Sequence, residues 1–341
     1  MQLRKLLNFG SDSLAAAGAR LVAVACLIVT TGIASRKMSP EEFGLWSVLV
    51  SLMFLSQLFD FGFRYGLGNR LAALSADPGA EQTRKKAFFS VFALQGVIAL
   101  ACAVLCLVLA PRIPWTRLFH IHEAGLSAYA SLTLTLALVL MVLHLPFSLT
   151  SAVFYAYREI GLASILYGLQ SLFLLAVFTA CIFTVSFHET MTIYFVAFIL
   201  TGLAITVFLL VRRRWTPSFA PLKQQADLLR SIARPSLEFF VLSISAALTA
   251  TVGTILTGPV AGLKEAGDFS LVQRIFGLLV TVNLALMAPL GPAYTRHAHL
   301  NEWDTVREKL SLSIRRTWVL IFIVCGGILF ALHAALIKLW A

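Results

Sequence analysis

The sequence predicts an all-α integral membrane protein with nine transmembrane helices: a six-helix N-terminal lobe and an incomplete three-helix second lobe, related by a parallel repeat. Three observations predict this fold, namely the composition, the lengths of the apolar runs and an internal repeat. Of the 341 residues, 59% are hydrophobic and 13% are charged, whereas soluble domains average about 45–50% and about 25%. This composition excludes a soluble globular domain and a disordered chain.

Nine apolar stretches reach the roughly 18 residues that a helix needs to cross the hydrocarbon core. They are too long for the strands of a membrane barrel, which have about ten residues each. Arg4 and Lys5 precede the first stretch as in a signal peptide, but no cleavage motif follows, so we expect a membrane helix there as well. The predicted spans cover residues 14–34, 43–66, 87–110, 126–154, 161–186, 191–211, 236–258, 268–295 and 315–338.

The basic residues predict the orientation. Most of the 27 lysines and arginines lie in the N-terminal segment and in the loops that follow even-numbered spans. Lysine and arginine in short loops favour the cytoplasmic side, so we expect a cytoplasmic N-terminus and a periplasmic C-terminus. Because these residues are spread over all of these loops and are not gathered on one face, nucleic acid is not an expected partner.

The first two helices share a pattern with the seventh and eighth. The shift that places Gly32 on Gly258 also places Arg70 on Arg296, and it matches the lengths of the loops between them. Because six helices separate the two copies, both have the same orientation in the membrane. Such a parallel repeat, about an axis along the membrane normal, is a recurrent transporter architecture.

The repeat also sets the expected domains. Residues 1–211 form a six-helix lobe, residues 212–235 a basic cytoplasmic linker, and residues 236–341 a partial second lobe with helices 7–9. By comparison with the first copy, the second lacks three helices. Two explanations remain open: a chain shorter than its full-length form, or a nine-helix protein that a partner completes.

Three segments around the second helix carry a family resemblance. They are residues 40–47 (PEEFGLWS), 58–63 (LFDFGF) and 66–72 (GLGNRLA). In these segments the chain resembles the polysaccharide flippases of O-antigen (Wzx) type, members of the multidrug/oligosaccharidyl-lipid/polysaccharide (MOP) exporter superfamily.

The resemblance implies a transporter of the bacterial inner membrane that works by alternating access. Its substrate would be an undecaprenyl-pyrophosphate-linked oligosaccharide, moved from the cytoplasmic to the periplasmic leaflet for O-antigen, lipopolysaccharide or exopolysaccharide synthesis. The implied partners are this glycan and membrane lipids, with a polysaccharide polymerase and chain-length proteins as further candidates. Neither enzymatic activity nor a cofactor or metal is expected.

Five polar residues inside the spans are candidates for a substrate-binding cavity, because intramembrane charges tend to face a cavity or a partner. Gln57, Asp60 and Arg64 are spaced by three and four residues, which places them on one face of a continuous helix. Asp60 and Arg64 can pair, and both a structural ion pair and a cavity or proton-coupled site remain open. Arg20 and Arg274 either extend to the headgroups or bind a pyrophosphate.

Other polar residues favour structural roles. His144 and Pro146 predict a break in the fourth helix, where the histidine either bonds a freed carbonyl or relays protons. Asp12 and Glu238 lie at predicted helix starts, where a carboxylate caps the helix.

Three alternatives to the flippase remain. One is a cation-coupled exporter of the multidrug type, and another is a non-transporting scaffold in a polysaccharide assembly complex. The third, a membrane glycosyltransferase or polymerase, would need an extended loop with several carboxylates. The longest predicted periplasmic loop, residues 111–125, holds one acid, Glu123.

Overall fold

The computed structural model describes residues 2–74, 78–219, 222–287, 303–327 and 330–331. Within these ranges the chain is almost wholly helical and contains no β-strand. Its contacts divide it into two units, Met1–Gly267 and Asp268–Ala341. The α-helices are α1 Gln2–Lys37, α2 Pro40–Ser56, α3 Phe63–Ala73, α4 Glu81–Leu109, α5 Trp115–Leu118, α6 Ala124–Leu143, α7 Leu145–Ser148, α8 Thr150–Ala156, α9 Ile160–Ile182, α10 Phe187–Arg213, α11 Leu222–Ala261, α12 Leu263–Met287 and α13 Trp303–Thr317, and a π-helical segment follows at Trp318–Cys325.

Six helical segments in the described ranges are long and apolar enough to cross a membrane. They correspond to the second to seventh predicted spans. The first predicted span lies inside α1 and the eighth begins in α12, while much of the ninth falls outside the described residues, so the nine-helix count stays a prediction. The six segments are Pro40–Asp60, Glu81–Arg112, Ala124–Leu143, Ile160–Ile182, Phe187–Arg213 and Gln225–Thr249.

The outer surface of the helices is apolar. On α4, for example, Val97, Leu100 and Leu105 are 66%, 60% and 56% exposed. Monomeric soluble proteins rarely expose such large contiguous apolar surfaces, because water penalises them, whereas lipid chains do not. Together with the six apolar segments, this surface identifies a multi-pass membrane protein.

The second predicted span is not one continuous helix. α2 ends at Ser56, a 3₁₀ turn covers Gln57–Asp60, and α3 begins at Phe63. Between them, Phe61 and Gly62 have φ angles of 50° and 74°, the left-handed region that a right-handed helix cannot include. The prediction of an uninterrupted helix over 43–66 is therefore wrong in its middle.

The predicted break in the fourth span is confirmed. α6 ends at Leu143, and a new short helix, α7, begins at Leu145. The physical cause is Pro146, which lacks the backbone N–H that the carbonyl of Val142 would accept in a continuous helix. The chain then continues through α8 to Ala156.

The seventh predicted span begins earlier than its apolar run. α11 starts at Leu222, so residues 222–235 of the predicted linker are helical. Glu238 consequently lies inside this helix, where its carboxylate is 3.1 Å from the Nε of Arg234. Asp12 likewise lies inside α1. The predicted capping roles of both acids are wrong, because their helices begin a dozen or more residues upstream for Glu238 and about ten for Asp12.

The main apolar core lies where α3, α4, α8, α10 and α11 meet. Leu71, Phe88, Phe154 and Leu209 are fully buried there, and Ile232 is almost fully buried. This core holds the end of the first unit at which α3 ends and α4 begins. We call it the basic end, because Arg70, Arg84–Lys86 and Arg212–Arg214 all lie there.

Candidate functional site at the interrupted second helix

The turn between α2 and α3 is closed by the side chain of Asp60. Its Oδ1 accepts a hydrogen bond from the backbone N–H of Gly62 at 2.7 Å. Asp60 is only 6% exposed, and carboxylates commonly stabilise turns by bonding to the amide two residues later. Part of this acid's role is therefore to hold the interruption in shape.

The other carboxylate oxygen of Asp60 faces Arg64. Asp60 Oδ2 lies 3.9 Å from the Nε of Arg64, while the guanidinium lies 5.0 Å from the ring centre of Tyr65. A strong arginine–carboxylate pair makes two short parallel hydrogen bonds. This pair makes one long contact, so Arg64 keeps donors for another anion, and its side chain is 27% exposed.

The start of α3 lies very close to α11. A Cβ added to Gly62 would collide with the backbone oxygen of Ser236, and one added to Gly66 would collide with the Ser236 hydroxyl and lie 2.9 Å from the oxygen of Ile232. The two glycines are four residues apart, the spacing at which small residues let two membrane helices approach. α11 contains Pro235 at this point.

Aromatic rings flank this glycine contact. Tyr65 stacks on Phe239 at 4.6 Å with an angle of 12° between the rings, and Phe61 lies 5.5 Å from Phe240. Such ring pairs add stabilisation beyond the area they bury. The residues on both sides of the interruption are therefore fixed against α11.

A second polar feature faces the break in the fourth span. Gln95, on α4, is fully buried, and neither end of its amide has a hydrogen-bond partner among the described residues. Three residues earlier, Phe92 lies 6.1 Å from Phe147, and four residues later Ala99 packs against Val142. Gln95 shares this helix face and so points at the interrupted segment.

His144 lies at the same break and packs as a core residue. Its ring stacks on Phe198 with 3.8 Å between ring centres, and it leaves so little room at Gly202 that an added Cβ would lie 2.7 Å from Nε2. Within the part of the chain that is described, the ring makes no hydrogen bond. The predicted bond from this histidine to a freed carbonyl is thus not formed there.

The five predicted site residues have different outcomes. Asp60 and Arg64 lie together at the interruption, and the backbone of Gln57 belongs to its 3₁₀ turn. The side chains of Gln57 and Arg20 lie outside the described residues. Arg274 is half-buried on α12, in the second unit. A role for any of them in a substrate cavity stays a prediction.

The charged residues are recognisable in the sequence as expensive groups in apolar runs, a criterion that overlooks two other features. Gly62 and Gly66 show the small-xxx-small spacing that marks close helix contacts. Gln95 is an uncharged amide in a long apolar run, and such groups are also costly to bury without a partner. No group of three or more histidine, cysteine, aspartate or glutamate side chains in the described ranges is placed to hold a metal.

Comparison with solved structures shows the fold. The MATE multidrug transporter DinF-BH, in complex with a rhodamine dye, aligns with a TM-score of 0.69 at 15% identity, over 95% of this chain and 74% of that chain. An inward-facing multidrug resistance MATE transporter of the MOP superfamily gives 0.65 at 14%, over 95% and 75%. A MOP superfamily transporter from Pyrococcus furiosus gives 0.52 at 13%, over 81% and 71%.

Comparison with sequence families assigns the chain. No curated protein sequence matches it significantly. The profile of the family described as "Polysaccharide biosynthesis protein" matches residues 13–297, which is most of the chain and includes both the interrupted helix and the resembling segments. The chain therefore belongs to this polysaccharide biosynthesis family of membrane transporters, within the MOP superfamily.

Proposed function

We propose that the protein is a flippase that moves undecaprenyl-pyrophosphate-linked oligosaccharide from the cytoplasmic to the periplasmic leaflet of the inner membrane. The family match over residues 13–297 is the observation that carries this proposal. The expected products are surface polysaccharides such as O-antigen or exopolysaccharide. Transport would proceed by alternating access, the mechanism that the resemblance implies.

The difficult part of this reaction is the movement of a pyrophosphate through an apolar core. An uncompensated charge there costs several kcal/mol or more, so the protein must offer cations along the path. Arg64 suits this role because its guanidinium is partly exposed and has only one long contact to Asp60, at 3.9 Å. Asp60 would hold the guanidinium in place until the substrate competes for it.

Three further residues join the proposal on charge and polarity alone. Arg20 and Arg274 would offer additional guanidinium groups to phosphate oxygens. Gln57, which belongs to the 3₁₀ turn beside Asp60, would bind sugar hydroxyls or phosphate through its amide.

The test uses a strain whose own copy of the gene is deleted, complemented with tagged variants. Arg64→Ala at normal expression should abolish surface glycan and leave lipid-linked intermediates in the cytoplasmic leaflet. Arg64→Lys should restore display partly, because the point charge survives while the two-pronged geometry is lost. The control is Arg230→Ala, which removes an exposed arginine on α11 away from the turn.

Two outcomes would overturn these assignments. Full glycan display by a well-expressed Arg20→Ala, Arg64→Ala double variant would remove the cavity role of both arginines. Unchanged display after deletion of the gene, in a strain without a paralogue, would remove the flippase function itself.

A cation-coupled multidrug-type exporter is the second candidate, favoured by the fold shared with DinF-BH. In that case proteoliposomes should export the same rhodamine dye when a proton or sodium gradient is imposed, and Asp60→Asn should stop this export. Glycan display would then be unaffected by the same variant. A scaffold, the third candidate, would be needed for display yet would move neither cargo in proteoliposomes.

A further inference from the structure

A cavity of about 480 Å³ opens at the basic end, between α3, α4 and α11. Arg70 from α3 and Lys86 from α4 line it, with Asp227 from α11 as the one acid of the lining. Gln82 and Thr83 supply polar groups, and Leu228 is part of the apolar wall. Its volume lies in the range of small-molecule sites, about 300–1,000 Å³.

The charges that line the cavity are not neutralised by ion pairs with the described residues. In those ranges, neither Arg70 nor Lys86 forms an ion pair within 4.0 Å, and the same holds for Asp227. The lining therefore carries one net positive charge, with two cations available to bind an anion.

The start of α4 reinforces this preference. Gln82 and Thr83 belong to the first turn of a helix of 29 residues, where backbone N–H groups lack intrahelical acceptors and the helix dipole is positive. The acid of that turn, Glu81, is already engaged elsewhere, with Tyr157, Trp215 and Arg84. It therefore does not satisfy the cations of the cavity.

We propose that this cavity binds a phosphate group at the membrane surface. Guanidinium, ammonium, hydroxyl and helix N-terminal donors are the groups that phosphate oxygens accept from. The phosphate would come from the headgroup of an anionic lipid, since basic pockets between membrane helices take such headgroups, or from a free phosphate compound. This binding does not depend on the flippase function.

The test measures lipid binding to the purified full-length protein by native mass spectrometry. Phosphatidylglycerol should bind more tightly than zwitterionic phosphatidylcholine, and the double variant Arg70→Ala, Lys86→Ala should bind it less tightly by about tenfold for each charge-assisted bond removed. Lys85→Ala is the matched control, because that ammonium donates to Thr216 at 2.8 Å and does not line the cavity.

A third variant guards against misfolding. Asp227→Asn removes the one acid of the lining and should tighten phosphatidylglycerol binding several-fold, a gain that an unfolded protein cannot show. Inorganic pyrophosphate serves as the soluble probe: binding that the double variant weakens, without preference for the lipid, would assign the site to free phosphate compounds. Equal binding of both probes by the wild type and all three cavity variants would overturn the phosphate site.

Discussion

Glu81 and Tyr157 are joined by a hydrogen bond of 2.5 Å between the tyrosine hydroxyl and the carboxylate, across 76 residues of sequence. The same carboxylate accepts a bond from the indole Nε1 of Trp215 at 2.8 Å and lies 2.9 Å from the guanidinium of Arg84. Glu81 is the first residue of α4, so it connects this helix to the turn after α8 and to the segment after α10.

The far side of the Tyr157 ring is covered by Arg213. Its guanidinium lies 3.7 Å from the ring centre and 2.9 Å from the carboxylate of Glu159. A cation over an aromatic face is attracted by the ring's negative face. The basic end is therefore held by a network of alternating charges around one tyrosine, above the apolar core at Phe88.

We expect Tyr157→Phe to lower the stability of the folded protein by about 1–2 kcal/mol, because it removes a hydrogen bond to a charged acceptor. The packing of the ring is kept, so the loss reports the hydroxyl alone. The measurement is the fraction of monodisperse protein after heating in detergent, followed by size-exclusion chromatography. Tyr155→Phe is the control, since Tyr155 is half-exposed on the same turn, and an equal loss there would contradict the prediction.

The same pair predicts a dependence on pH. Burial raises the pKa of Tyr157, and the hydrogen bond to Glu81 raises it further. A proton held more tightly in the folded state contributes stability that is complete below the ordinary tyrosine pKa of about 10 and is lost as the pH rises above it. The stability difference between wild type and Tyr157→Phe should therefore be constant up to about pH 10 and shrink above it. A difference that grows above pH 10 would contradict this sign.

Glycines around the start of α3 predict different effects of the same substitution. Gly66→Ala places a Cβ against Ser236 and Ile232, and Gly62→Ala adds a strained φ of 74°. Each should cost about 1–3 kcal/mol through overpacking, with a similar further cost for the strain at Gly62. Gly68→Ala should be near neutral, because its Cβ would meet Ala152 at an ordinary 3.7 Å. Heating assays that rank the three variants otherwise would contradict the close contact between α3 and α11.

The positions of the spans follow from the sequence because apolar length alone decides which segments enter the membrane. Where a helix starts or breaks depends on other forces. Pro146 marks its break locally, through the missing N–H, and this break was predictable. The interruption before α3 depends on the packing of Gly62 against Ser236, a contact between distant parts of the chain. The early start of α11 at Leu222 lies outside the apolar run and leaves no hydropathy signal.

The site was predictable to the same extent. The four-residue spacing of Asp60 and Arg64 correctly indicated that they meet, although the reason given, one continuous helix, was wrong. The pair survives the interruption because Arg64 stands in the first turn of α3 and Asp60 in the turn that precedes it. Gln95 gave no signal of this kind, because a single amide changes the hydropathy of its run very little.

Gln95 carries the last prediction. An amide buried without a partner costs about 1–3 kcal/mol, so Gln95→Met, which keeps the length of the side chain, should leave stability unchanged or raise it. The matched control is Gln170→Met, because Gln170 donates to the hydroxyl of Thr201 at 2.7 Å and its loss should be destabilising. A destabilised Gln95→Met variant would mean that the amide has a bound partner in the folded protein. Because stabilising changes in working sites tend to reduce activity, we also expect Gln95→Met to lower surface glycan display at equal expression. A variant that is more stable and fully active would show that this amide has no part in transport.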